Sequence, residues 1–288
     1  MQSNNPVFRR SEEFNSANAY GNETYAGNGS SYAGYGDPAT WGTGTPGAPT
    51  TQGTERRRPM TIDSVVQASA ISFAAVLVAA AATWFLTPEI TADMPSSELS
   101  GIFAAMTIGS LAAFGLSMVN SFKRVVSPAL VLAFCLAEGV ALGAISKFFD
   151  AQYGDHIVIN AVLGTFGAFI GTLTAYKFFN IEVGAKFRTF VIAAMFGMVG
   201  LSLMELVLRM FGNGTGLFGV TALGMLTAFA GLALGIFMLI LDFDMVEQGV
   251  AAGAPEIESW RAAFGLTATL IFIYIELLRI IAILRGDG

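Results

Sequence analysis

Five carboxylates stand where carboxylates are expensive. Asp242 and Asp244 close one long apolar run. Glu138, Glu205 and Glu276 each interrupt another. An ionisable group in such a run loses its hydration on entering lipid, so it needs a partner, water or a function. Oxygen ligands at these places can attract cations, carry protons or line a polar path. Two arginines accompany them on helical spacing. Glu205 and Arg209 are i,i+4, Glu276 and Arg279 are i,i+3, and both spacings allow mutual neutralisation. Asp242 and Asp244 are two apart, so on a helix they point about 200° from one another. Glu138 has no charged neighbour on its own helix.

The elements that must hold these groups are hydrophobic. Of 288 residues, 54% are apolar and only 12% charged, against about 25% charged in an ordinary soluble chain. The apolar residues fall in blocks of roughly 20, the length of a bilayer span. Seven such runs lie near Ser64–Leu86, Leu99–Val119, Ser127–Phe149, Ile157–Phe178, Phe190–Met210, Gly216–Leu241 and Trp260–Leu284. The expected fold is all-α: a polytopic membrane protein of seven transmembrane helices, with short connections and antiparallel sequential neighbours. Gly139 and Gly143, Gly167 and Gly171, and Gly231 and Gly235 repeat at the spacing that lets helices approach closely in lipid.

Residues 1–58 differ in kind. They are rich in Gly, Asn, Ser, Thr, Tyr and Pro and carry no apolar periodicity, which predicts a disordered tail ahead of a transmembrane domain over 59–288. The tail has no apolar core of a signal peptide. Asn22-Glu23-Thr24 and Asn28-Gly29-Ser30 match the glycosylation pattern, a weak signal in such composition.

Lys and Arg predict the orientation. Arg9, Arg10, Arg56, Arg57, Arg58, Lys123, Arg124, Lys177, Lys186, Arg188 and Arg261 fall on one side, and Lys147, Arg209 and Arg285 on the other. The more basic side is expected to be cytoplasmic, with the N-terminus there and the C-terminus outside a plasma (inner) membrane. At 1.5 Å per residue, Glu138 sits about 16 Å in from that side and Glu276 about 22 Å. Asp242 and Asp244 lie at its mouth.

Enzyme chemistry finds little support. The single histidine, His156, stands beside Asp155 in a loop, too little for a triad or a multi-histidine zinc site. The single cysteine, Cys135, lies in an apolar run and reads as packing. No lysine follows Lys186, which argues against a retinal Schiff base, and no phosphate-binding loop is present. No resident cofactor and no nucleic-acid partner are expected. The lipid bilayer and other membrane proteins are the expected partners.

Glu138-Gly139 in the third run, Phe243-Asp244 closing the sixth, and the segment LDFDMVEQGVAAGAPEIESWRAAFGL together resemble the Bax inhibitor-1/YccA family, in particular its actinobacterial members, over about residues 60–286. The resemblance implies six helices around a central seventh and a pH-sensitive calcium leak, with stress or protease-regulatory roles ascribed to some members. It also implies a sensor of two aspartates, one ending the sixth helix and one in the seventh. Asp244 matches the first by its Phe-Asp context. The second falls near Thr267–Thr269, where this chain has Thr267, Ala268 and Thr269. A pore or ion path through Glu138, Asp244, Asp242 and Glu276 follows, with Ca²⁺ as the permeant ion. On this reading Asp244 faces the interior against Thr267 or Thr269 as gate partners, and Asp242 faces the headgroups. The alternative is a membrane regulatory or interaction protein without transport.

Overall fold

The computed structural model describes residues 58–91, 94–154, 156–179, 181–219 and 221–286. Residues 1–57 of the expected disordered tail and the possible glycosylation positions lie outside the described residues, as does Asp155, whereas Arg58, also placed in that tail, is described and accepts a backbone hydrogen bond from Glu256. The described chain is helical: α1 (Ile62–Leu86), α2 (Ser96–Phe122), α3 (Pro128–Tyr153), α4 (Ile157–Phe178), α5 (Ala185–Met210), α6 (Ala222–Ala251) and α7 (Ser259–Gly286), with a 3-10 turn at Glu256–Glu258 before the last. All seven are long and apolar enough to cross a membrane.

Local chemistry sets the ends. Thr61 and Ser64 form a reciprocal capping box at the start of α1. Pro128 opens α3 in its first turn, where its missing N–H is harmless. Lys147 of α3 donates to the Trp84 and Thr87 carbonyls at the end of α1, at 2.7 and 2.5 Å. Arg285 donates to Tyr153 and Gly154 at the end of α3. These two far-side cations therefore satisfy carbonyls that a helix end leaves without partners.

The seventh helix is the axis. It packs against α1, α3, α4 and α6, while α2 packs on α3 and α5 on α6. Ile271, Tyr274, Leu278 and Ala282 join one core with α3 and α4. Leu266, Leu270 and Ile273 join a second with Leu239, Phe243 and Val246 of α6. Outer helices carry large apolar side chains outward, such as Ile108, Leu111 and Phe114 on α2 and Phe196 and Leu203 on α5. That pattern fits lipid contact, since no internal partner holds these side chains.

The glycine pairs divide. Gly139 and Gly143 bring α3 onto the α1 backbone: a Cβ at either would meet the Val76 or Ala80 carbonyl at 2.5 Å. Gly231 and Gly235 seat Glu276 and Ile273 of α7. A Cβ added at Gly167 or Gly171 would meet nothing within 4 Å, so the expected close packing there does not form.

Three expected boundaries move by five residues or more, and the last of them matters. The fifth helix begins at Ala185, before Phe190. The sixth begins at Ala222 and continues to Ala251, ten residues past Leu241. Asp242 and Asp244 are therefore inside α6, and the hinge follows it. The drop in hydropathy at the aspartates marks a change of surroundings within one helix, because both carboxylates find partners on neighbouring helices.

Candidate functional site

Asp242 and Asp244 diverge as their spacing requires, in the opposite sense to that expected. Thr269 Oγ1 of α7 donates to Asp242 Oδ2 at 2.6 Å. Asp242 Oδ1 also lies against Gly265, one turn earlier on α7. Asp244 Oδ2 instead accepts from Arg188 of α5 at 2.9 Å and from Gln248 at 2.7 Å. So Asp242 is the carboxylate on the central helix, and Asp244 ties α6 to α5. Asp244 is nonetheless buried, at 9% exposure. The reason is rotational: the face of α6 carrying Leu239, Phe243 and Val246 is fixed on α7 by packing, which leaves Asp244 on the α5 flank.

The neighbouring helices extend this polar end. Tyr176 of α4 donates to Glu247 Oε2 at 2.7 Å. Arg261 at the start of α7 pairs with Glu258 at 2.6 Å and donates to the Arg124 carbonyl of the α2–α3 connection. The segment before α1 lies along the α6–α7 hinge, with Met60 N–H donating to Ala254 and Glu256 N–H to Arg58. Met60 itself is buried, packed on Gly249. Sequence reading missed both this clasp and Arg188, because backbone pairing and a partner on another helix leave no local spacing signal.

The carboxylates further in have separate settings. Glu276 is 4% exposed, pairs with Arg279 at 2.6 Å, and lies over the bare backbone of Gly231. Arg279 continues to the Leu217 and Gly224 carbonyls and Thr227, with Phe218 under its guanidinium. Glu205, 2% exposed, accepts from Arg209 at 3.0 Å, from Thr215 N–H and Oγ1 at 3.0 and 2.5 Å, and from Gly216 N–H at 3.2 Å. Its geometry is that of a loop clasp. Both i,i+3 and i,i+4 pairs thus form as their spacing predicts.

Glu138 is half-buried on α3 and makes no hydrogen bond or ion pair among the described residues. Thr267, 0% exposed, has a hydroxyl without a partner and does not meet either aspartate. Among the described residues, no three His, Cys, Asp or Glu side chains gather to hold a metal ion. His156 is exposed and sits at a left-handed φ of 72° ahead of α4.

Comparison with curated proteins finds no match. A family model described as Bax inhibitor 1 like matches residues 5–286, reaching well into the segment that composition sets apart. With nearly the whole sequence matched and seven apolar helices in a bundle whose axis is α7, the chain belongs to the Bax inhibitor 1 like family.

Proposed function

We propose that this membrane protein is a pH-sensitive cation leak permeable to calcium, gated where α6 meets α7. The observation carrying this reading is the Asp242–Thr269 contact. It places a carboxylate of the sixth helix on the central helix, as the family's paired sensor would, with a threonine as the second member. Glu138 and Glu276 continue an acidic path from that end inward, and acidic linings favour cations. Lys and Arg distribution supports a cytoplasmic N-terminus, an outside C-terminus and a plasma (inner) membrane setting. Calcium is here the cargo, no resident cofactor is assigned, and the protein is not an enzyme.

Purified protein in liposomes loaded with a calcium dye tests the proposal. Flux above that of empty liposomes, changing between about pH 5 and about pH 8, is the expected result. No flux at any pH in that range would refute it. A second reading, a regulator that binds other membrane proteins without transport, is favoured by the pairing of Asp244, Glu205 and Glu276 with arginines. Crosslinking in native membranes that captures a defined partner, together with silent liposomes, would select it.

A further inference from the structure

The seam between α1, α3 and α7 contains hydroxyls that have every opportunity to satisfy themselves and do not. In apolar helices a serine or threonine ordinarily bonds back to a carbonyl one turn earlier. Thr83, Thr165, Thr189 and Ser202 do so here at 2.8–3.0 Å. Ser69 and Ser72 of α1 and Thr267 of α7 have buried hydroxyls with no nitrogen or oxygen partner. Ser72 and Thr267 are both 0% exposed. An unsatisfied buried hydroxyl costs about 1–3 kcal/mol, so Ser72 and Thr267 on adjoining helices call for a common occupant.

Helix geometry brings them together. Ser64 of α1 and Ser259 of α7 are hydrogen bonded at 2.6 Å, which fixes the register of these two parallel helices. Ser72 and Thr267 each lie eight residues further, about 12 Å along, and so at one depth. On α7, Ser259 marks the α1 side and Phe264, stacked on Phe134 at 4.9 Å, marks the α3 side. At 100° per residue Thr267 points about midway between them. On α1, Ser72 points between α7 and the α3 side marked by Val76, whose carbonyl borders Gly139. It lies next to the Cys135 thiol of α3, a weak hydrogen-bonding group. Glu138 is one turn beyond Cys135, on the face of α3 between Phe134 and Ser146, which both meet α7; counted from the stacked Phe134 and Phe264 rings, its depth matches that of Thr267 to within about 2 Å. The buried carboxylates Asp244, Glu205 and Glu276 have an arginine each and half-buried Asp242 has Thr269, whereas half-buried Glu138 has no hydrogen-bond or ion-pair partner among the described residues.

We propose that Glu138, Ser72 and Thr267 form a binding site for a single monovalent cation of sodium's size. One carboxylate balances one positive charge, and the hydroxyls supply neutral oxygen ligands. Calcium takes six to eight oxygens and is held by several carboxylates, which this seam lacks. The site goes beyond the leak reading, since a cation can be held here in a protein that conducts nothing.

The test is thermal unfolding of the purified full chain in nanodiscs, with sodium chloride exchanged for choline chloride at constant ionic strength. A ligand of the folded state raises Tm. Sodium is expected to raise it by about 2–4 °C, the response of a chain of this size to a site filled at several times its Kd. Glu138→Gln should abolish the sodium-dependent part. Ser72→Ala and Thr267→Val, which keep the apolar packing, should each reduce it without lowering Tm in choline. Equal Tm values in the two salts would mean the seam holds water only and would overturn the proposal. So would a sodium shift that survives in Glu138→Gln, or a larger shift from calcium at far lower concentration. Calcium flux enters none of these outcomes, so failure here is distinct from failure of the leak.

Discussion

Thr269 of the central helix holds Asp242 by a 2.6 Å hydrogen bond, whereas Asp244, two residues on, is held by Arg188 of a peripheral helix. The two aspartates therefore report on different movements. Separation of α6 from α7 breaks the first contact, and separation of α5 from α6 breaks the second. If the former opens the path, Thr269→Val should favour the open state. One hydrogen bond contributes about 1 kcal/mol, or roughly a fivefold shift in the equilibrium. The expected result is a several-fold rise in liposome flux at the pH where wild type is mostly closed. Unchanged flux in Thr269→Val would remove Asp242–Thr269 from the gate.

Asp244→Asn should behave differently. Arg188 is about half exposed, and a pair with one exposed partner is worth at most about 1 kcal/mol. A double-mutant cycle of Arg188→Gln and Asp244→Asn, read by thermal unfolding, should give a coupling of that size or less. The pH dependence of flux should survive Asp244→Asn and be flattened by Asp242→Asn. The reverse pattern would restore Asp244 as the sensor, as its Phe-Asp context alone suggests.

Glu205 makes a local prediction that is independent of transport. It accepts the Thr215 and Gly216 N–H groups and the Thr215 hydroxyl, joining the end of α5 to the loop before α6. Glu205→Ala removes these acceptors and leaves Arg209 unpaired. Hydrogen exchange at Thr215 and Gly216 should accelerate by about tenfold, the effect of losing a hydrogen bond worth roughly 1–2 kcal/mol. Exchange in the cores around α7 should stay near wild type. Unaltered exchange at these two amides would show that the loop is ordered by other contacts.

The helices were legible because lipid imposes a length and a composition that few other structures share. The Glu205–Arg209 and Glu276–Arg279 pairs were legible because a helix fixes which positions meet. Legibility failed at Asp242 and Asp244, where context and a fall in hydropathy suggested a helix end. The rotation of α6 is set by Leu239, Phe243 and Val246 against α7, a tertiary fact with no trace in local spacing. The same holds for the clasp of Met60 on the α6–α7 hinge and for Arg188, whose partner is 56 residues away. The seven expected helices form, and the assignment of the two aspartates is exchanged.

Gly231 provides the last prediction. Glu276 lies across it so closely that a Cβ there would stand 2.7 Å from the Glu276 carboxyl carbon and 2.8 Å from Oε1. Both distances are below any normal contact, and the obstacle is the charged end of a side chain already tied to Arg279 at 2.6 Å. Gly231→Ala must therefore either push α6 from α7 or turn Glu276 out of its pair. Overpacking of this kind costs about 1–3 kcal/mol. Gly231→Ala should lower Tm, whereas Gly167→Ala, with open space around it, should leave Tm near wild type or slightly raised by better helix propensity. Pairing Gly231→Ala with Glu276→Ala separates the two routes. If the clash is with the carboxylate, the double variant should recover part of the loss beyond additivity, as residues in contact do. Strict additivity would mean that Gly231 is needed for the approach of the helices and not for the seat of Glu276.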